Sequence, residues 1–215
     1  MNCPLCGFDN IFKYFQKTEK NRDIKIYFQC KRCELVFLDP GFHLLPEEEK
    51  SIYDFHENGP ENEGYVRFLK KLAVPLALKL RNKSTGLDFG CGPGPTMSFI
   101  LENNDFEVSN YDPYYFPDKN LLKNKYDFVT CTEVVEHFYQ PKKEFLLFNS
   151  LLKEDSSYLG IMTQMLPQGT DFKNWWYHRD PTHVSIYSLK TFLWISEWMG
   201  WKMEIPENGV VIYSK

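Results

Sequence analysis

The sequence predicts an α/β protein: a doubly wound, mostly parallel sheet closed by a terminal antiparallel hairpin, with a small cysteine-bearing unit in front of it. Three observations carry this. Short apolar runs alternate with helix-like stretches from residue 86 onward. Three glycines fall within five residues in LDFGCGPGP, residues 87–95, directly after the first of those runs. Four cysteines form two C-x2-C pairs near the N-terminus.

The cysteine unit comes first. Cys3, Cys6, Cys30 and Cys33 give C-x2-C, 23 intervening residues and a second C-x2-C. Two residues between thiolates let one tight turn aim both sulfurs at a single ion, and two such knuckles complete a tetrahedron around zinc. The segment between them reads as two strands around a polar turn, so a zinc ribbon is expected over residues 1–40. All four thiolates would be ligands, which makes the zinc structural. Residues 1–34 also hold seven basic side chains (Lys13, Lys17, Lys20, Arg22, Lys25, Lys31, Arg32) against four acidic ones. This is either a solvated face or a docking patch for RNA or an acidic partner.

Residues 41–84 read as a helical linker or lid, with helices over 47–56 and 61–81. The second carries apolar side chains from Tyr65 to Leu80 at helical spacing, and Pro75 within it is expected to kink or split it. The sheet domain then occupies 85–215. Strands are expected near 86–89, 106–111, 126–131 and 157–162, and helices near 95–103, 132–138, 142–152 and 188–198. The closing hairpin turns at Glu-Asn-Gly. Cys131, at the end of an apolar strand, reads as packing.

Composition narrows the partners. At 215 residues, with 43% hydrophobic and 17% aromatic side chains, the chain can fill one full-sized core and a small appendage. No apolar run reaches the roughly 18–20 residues that span a bilayer. MNCPLCGFDN lacks a signal-peptide pattern, so a cytoplasmic protein that does not engage membranes is expected. A net charge of −4 gives no general attraction for nucleic acid.

In doubly wound folds the first strand-to-helix turn meets the ligand. Here that turn is D-x-G-x-G-x-G, using Asp88, Gly90, Gly92 and Gly94. A dinucleotide fingerprint would want its third glycine at position 95, which is proline, so NAD and FAD are disfavoured. Asp112, in YDP, lies eighteen residues beyond Gly94, where a carboxylate can accept hydrogen bonds from two ribose hydroxyls.

LDFGCGPG, YDP and YDFVTCTEVVEHF together resemble the class I S-adenosylmethionine-dependent methyltransferases, over residues 85–215. The resemblance implies a Rossmann-like sheet, S-adenosyl-L-methionine as cofactor, backbone at Gly90, Gly92 and Gly94 against its methionine part, and Asp112 on its ribose. Asp88, Cys91 (through its backbone) and Thr132 complete the expected cofactor contacts; adenine recognition stays unassigned, with Asp118 the only acid near the usual place. The ribbon in front is similar to that of bacterial small-molecule methyltransferases with a zinc-binding module.

The chemistry is expected in TEVVEHF, residues 132–138, at the carboxyl edge of the sheet. As a helix it would put Glu133, Glu136 and His137 on one face, suiting a general base or a divalent ion. The E-x-x-E-H string resembles that of quinone-pathway O-methyltransferases and of small-RNA 2′-O-methyltransferases, where it holds a metal. His183 would then complete a Mg²⁺ or Mn²⁺ site with Glu133, Glu136 and His137. His183, in RDPTHVSIYS, is alternatively the general base. NWWYHRDPTHVSIYS reads as a lid in which Trp175, Trp176 and Tyr177 wall the pocket or pack inward, and His178, Arg179 and Asp180 form a loop salt bridge. Three functions therefore stand: methyl transfer to a small polar molecule at oxygen, nitrogen or carbon; methylation of RNA docked on the ribbon; and a non-catalytic module that binds the cofactor or a protein.

Overall fold

The computed structural model describes residues 1–18, 24–55 and 58–215. The expected ribbon turn, with Glu19, Lys20, Arg22 and Asp23, and the end of the first expected helix at His56 lie outside the described residues. The chain runs β1 (Ile11–Thr18), β2 (Ile24–Cys30), β3 (Val36–Leu38), α1 (Pro46–Tyr53), α2 (Glu63–Ala77), β4 (Thr85–Phe89), α3 (Thr96–Glu102), β5 (Glu107–Tyr111), β6 (Phe128–Thr132), α4 (Pro141–Leu151), β7 (Tyr158–Met162), β8 (Ser185–Ile186), α5 (Leu189–Met199), β9 (Lys202–Glu207) and β10 (Val210–Ser214).

Six strands form the main sheet in the order β5-β4-β6-β7-β10-β9. The first four are mutually parallel, and β10 and β9 add antiparallel at the far edge. The Asn208-Gly209 turn joins β9 to β10, with Gly209 at φ +80° as a tight hairpin requires. The four inner strands, β4, β6, β7 and β10, are buried on both faces, whereas the edge strands β5 and β9 are more exposed, and alternate residues of the inner strands go to opposite layers. Phe128, Met162, Val210 and Ile212 face α2 and α3. Val129, Cys131, Leu159, Ile161, Val211 and Tyr213 face the layer that holds Phe145 and Phe148 of α4 and Phe192 and Ile195 of α5.

α2 is one of the sheet's layers. Its Leu69, Leu72, Ala73 and Leu76 are buried against Met97, Ile100 and Phe128. Truncating fully buried Leu72 to alanine should cost about 2–5 kcal/mol. Asn62 caps the helix by accepting from the Tyr65 N–H (3.1 Å). Pro75 does not split it: the proline sits in the last turn, and the helix ends at Ala77, short of the expected residue 81.

The cysteine unit does not stand apart. Its sheet runs β1-β2-β3-β8, so its last strand comes from the segment that follows His183. Cys3, Leu5, Cys30, Cys33 and Leu35 share one buried cluster with Phe145, Tyr187 and Phe192. The hairpin packs its Tyr27 on Phe172 and His178 (ring centroids 5.3 and 6.0 Å apart).

The connections fix where a ligand can sit. β4 leads to α3 on one face of the sheet, whereas the neighbouring strand β6 leads to α4 on the other. Loops that diverge in this way open a crevice at the carboxyl ends of the two strands. No described helix is long and apolar enough to cross a membrane.

Candidate active site

The loop after β4 is held open by backbone. Gly90 and Gly92 have φ +77° and +64°, conformations that disfavour a side chain. The N–H groups of Gly90 and Cys91 donate to the Tyr111 carbonyl (2.8 and 3.3 Å), tying the loop to the end of β5. Asp112 completes the tie: its Oδ2 accepts from Gly92 N–H (3.0 Å) and its Oδ1 from the N–H groups of Tyr114 and Tyr115 (2.8 and 3.1 Å). A Cβ on Gly94 would lie 2.9 Å from the backbone of Asn58, whose carbonyl also accepts from the Thr96 hydroxyl. A Cβ on Gly90 would strike Val134. Only Gly92 faces open space among the three.

Asp88 lies beneath this loop, buried, with Oδ1 accepting from the Thr130 hydroxyl (2.7 Å). Burial pushes its carboxyl up to about 7, opposed by the Thr130 hydrogen bond. Burial likewise pushes the Cys91 thiol up, so it is no nucleophile at neutral pH.

After β6, residues 132–138 do not form the expected helix. Glu133 takes φ +54° while its N–H donates to the Met162 carbonyl of β7 (2.7 Å), and only a single 3-10 turn, Val135–His137, follows. The helical arrangement of Glu133, Glu136 and His137 is therefore not made. Instead, Glu136, His137 and His183 place one ligand atom each within 4.8 Å of one another, and Glu133 is outside that set.

Glu136 is completely buried. Its Oε2 accepts from the Thr163 hydroxyl (2.9 Å) and its Oε1 from the Tyr177 hydroxyl (2.5 Å). Burial raises its carboxyl, against the pull of His183 and the Tyr177 hydrogen bond. Glu133 is raised too, by burial and by the charge on Glu136. Nδ1 of His183 lies 2.7 Å from the Tyr177 carbonyl and Nδ1 of His137 lies 3.1 Å from the Thr182 carbonyl. A carbonyl can only accept, so each ring carries a proton on Nδ1, and the neutral form of His183 keeps its lone pair on Nε2. Burial lowers the His183 pKa, more than Glu136 and Asp180 raise it.

The wall carrying His183 rests on the cysteine unit. Val184 N–H donates to the Glu136 carbonyl and Leu38 N–H donates to the Val184 carbonyl (both 2.9 Å), and the Ser185 hydroxyl donates to the Phe138 carbonyl (2.8 Å). In the preceding segment Trp176 and Tyr177 line the cavity, whereas Trp175 packs on Phe172 and Tyr177. The expected salt bridge among 178–180 is not formed. Asp180 accepts from the N–H and hydroxyl of Thr182, Arg179 reaches the Asn174 carbonyl, and His178 stacks on Phe172.

These parts enclose one cavity of ≈ 750 Å³. It joins the glycine loop and Asp112 to Thr132, Glu133, Glu136, His137 and His183, so every expected cofactor and catalytic residue lines it. Asp118 does not; it caps the turn at Asn120. Glu49, Asp88, Asp112, Glu133, Glu136, Glu144 and Asp180 line it as well, against a single lysine, Lys143. Glu49, Tyr53 and Tyr114 were not expected there. The clue was the i,i+4 spacing of Glu49 and Tyr53 in PEEEKSIY, hidden among neighbouring glutamates.

In the cysteine unit, Sγ of Cys3 and Cys33 lie 3.5 Å apart and Sγ of Cys6 and Cys30 lie 3.4 Å apart. All four sulfurs fall within 4.8 Å of one another. Tetrahedral zinc with Zn–S bonds near 2.3 Å puts sulfurs about 3.8 Å apart, so the donor set fits such an ion.

No curated protein matches the sequence. Among solved structures, the fold is similar to DesVI of Streptomyces venezuelae, with TM-score 0.54, 10% identity, and 77% of this chain and 97% of that one covered. It is also similar to a protein of Galdieria sulphuraria provisionally identified as a sarcosine dimethylglycine methyltransferase, with TM-score 0.50, 19% identity, and 76% and 69% of the two chains covered. At such identities these likenesses speak to the fold. The family described as a methyltransferase domain matches residues 61–204, well over half of the sequence, and so takes in α2, the glycine loop and the His183 wall. The chain belongs to the class I S-adenosylmethionine-dependent methyltransferases.

Proposed function

We propose that this methyltransferase acts on a small polar molecule held inside the ≈ 750 Å³ cavity, between the cofactor and His183. The observation that carries this reading is the continuity of that cavity, from the glycine loop and Asp112 at one end to Glu136, His137 and His183 at the other. Small-molecule sites occupy roughly 300–1,000 Å³, which suits a nucleoside cofactor beside a compact acceptor.

In this reading Gly90, Gly92 and Gly94 leave room for the methionine part, and Asp88 and Thr132 shape the floor below it. Oδ2 of Asp112, which among the described residues accepts only from Gly92 N–H, has a lone pair left for the ribose. The acceptor attacks the methyl carbon in line as the carbon–sulfur bond breaks. The electron pair goes to sulfur, giving neutral S-adenosylhomocysteine. His183 takes the acceptor's proton on Nε2, because the Tyr177 carbonyl keeps the other nitrogen protonated and burial keeps the ring neutral near pH 7. Glu136 steadies the imidazolium that results.

A divalent ion is a second reading, favoured by the clustered ligand atoms of Glu136, His137 and His183 and by the lone pair on Nε2 of neutral His183. Bound there, Mg²⁺ or Mn²⁺ would act as a Lewis acid toward an acceptor oxygen. At the cysteine unit Cys3, Cys6, Cys30 and Cys33 would hold zinc, which would fold the ribbon and brace the His183 wall through β3 and β8.

Incubation with methyl-labelled S-adenosylmethionine and fractionated small-molecule and RNA pools, with and without EDTA, tests these readings. The expected result is label in the small-molecule pool. Label confined to RNA, with affinity falling steeply as salt rises, would instead make the basic ribbon a docking surface. Loss of activity in EDTA, restored by Mg²⁺, would select the metal-assisted reading.

A further inference from the structure

We propose that the cavity contains a subsite for an organic ammonium group, built on Glu49, so that the methyl acceptor is a cationic molecule. This deepens, and rests on, the reading of the cavity as the methyl-transfer site.

Glu49 belongs to α1 and is only 8% exposed, yet it lines the cavity. Its Oε1 accepts from the Tyr53 hydroxyl (2.9 Å) and its Oε2 from the Tyr114 hydroxyl (2.7 Å). Both phenols stay neutral: burial and the Glu49 charge push them upward. Two neutral donors satisfy part of a buried carboxylate's hydrogen bonding but bring no positive charge, and none of the described residues forms an ion pair with Glu49. Burying an uncompensated carboxylate is costly, and a cation entering beside it recovers that cost. His43, which feels the Glu49 charge, is held toward its neutral form by burial.

The surroundings fit an ammonium group. The Tyr53 and Tyr114 rings lie 6.0 Å apart at 53°, and Tyr139 lies close enough to feel the charge on Glu49. Aromatic faces around a carboxylate attract alkylammonium groups through the ring quadrupole as well as the charge. Asp180, on the same cavity and held, against the effect of burial, below the usual carboxylate range by its Thr182 hydrogen bonds, adds a field of the same sign. The position is also right for an acceptor: the Tyr53 ring meets His137 edge-on at 5.3 Å, and His137 lies 5.0 Å from His183.

A purely structural role would have Glu49 tie α1 to the Tyr114 turn. Glu49→Gln keeps an acceptor and the side-chain shape but removes the charge, so it separates the two roles. The experiment is calorimetry on protein loaded with S-adenosylhomocysteine, which has no sulfonium. The probes are choline and its uncharged isostere, with a tert-butyl group in place of trimethylammonium. Choline should bind about tenfold more tightly than the isostere. Glu49→Gln should abolish that preference while leaving S-adenosylhomocysteine affinity within about twofold. Tyr114→Leu, which keeps the charge and removes one ring, should weaken choline several-fold and covers the case in which the glutamine variant does not fold. Equal binding of the two probes, no choline binding by the loaded protein, or a preference that survives Glu49→Gln overturns the proposal. So does a loss in Glu49→Gln confined to S-adenosylhomocysteine, which would place Glu49 on the cofactor. Failure of the wild-type protein to bind S-adenosylhomocysteine would instead strike the reading of the cavity itself.

Discussion

The glycine loop at 90–94 and the cysteine knuckles at 3–6 and 30–33 are the two clearest signals in the sequence, and different forces give them their shape. The loop is made mainly by backbone: left-handed turns at Gly90 and Gly92, two N–H groups on the Tyr111 carbonyl, and one on the Asp112 carboxylate. The knuckles bring four sulfurs within 4.8 Å of one another through side-chain packing, with Cys3, Cys30 and Cys33 buried in the cluster that also holds Phe145 and Phe192. Hydrogen bonding within the group lowers the Cys3 thiol to about 6, while burial raises Cys6 to about 12, the uneven ionisation expected of crowded thiols without a cation. The lesson lies in the coupling. The loop and His183 line one cavity, and the segment that carries His183 runs on into a strand paired to the cysteine unit. The proposed zinc would thus brace the wall that carries the proposed base.

The largest effect should follow from breaking the metal side of this comparison. Cys33→Ser should bring bound zinc, measured by elemental analysis, from one ion per chain to none and lower Tm by on the order of 10 °C. It should also reduce turnover, because β3 loses its anchor. Wild-type protein that purifies without zinc and melts no differently from the variant would separate the two regions after all.

Next in size is the wall itself. His183→Gln should lower kcat by about 10²–10⁴ and leave S-adenosylhomocysteine affinity unchanged. Parallel losses in both quantities would mean that His183 supports the cofactor and not the acceptor.

On the loop side the effects are smaller. Gly94→Ala forces the Asn58 backbone away from 2.9 Å and should cost about 1–3 kcal/mol in stability. Gly92→Ala meets no neighbour within 4 Å and should cost about 1–2 kcal/mol through its left-handed φ alone. Urea titrations of the two variants give both numbers; equal tolerance of alanine at both positions would refute the contact with Asn58.

The smallest effect concerns pH. Asp88 is raised from 3.8 to about 7 in the fold, so its contribution to stability is complete below pH 3.8 and is lost as pH rises toward 7. Asp88→Asn should therefore melt about 5 °C above the wild type at pH 8, with the gap closing toward pH 4. A gap that is constant with pH would show that Asp88 does not titrate in that window.

Sequence pattern reached what local chemistry determines. The glycine loop, the C-x2-C pairs, the Asn-Gly hairpin and the parallel strands each depend on residues a few positions apart. It did not reach what long-range packing determines. The helix expected over 132–138 gave way to a left-handed turn at Glu133, because the Glu133 N–H is taken by Met162 of the neighbouring strand. Nothing in E-x-x-E-H tells that Glu136 is wholly buried under Thr163 and Tyr177 while Glu133 parts from the cluster. The pairing of β3 with β8 joins residues about 150 positions apart, and a two-residue strand carries no pattern of its own. Glu49 needed Tyr114, sixty-five residues away, to become more than one of three consecutive glutamates.

The most direct test is a crystal structure with S-adenosylhomocysteine bound. The thioether sulfur should lie between the glycine loop and His183, with the ribose hydroxyls on Asp112 and the Glu49 end of the cavity still open to an acceptor. A nucleoside bound outside that crevice, or one lying across His183 with the 90–94 backbone untouched, would contradict the account.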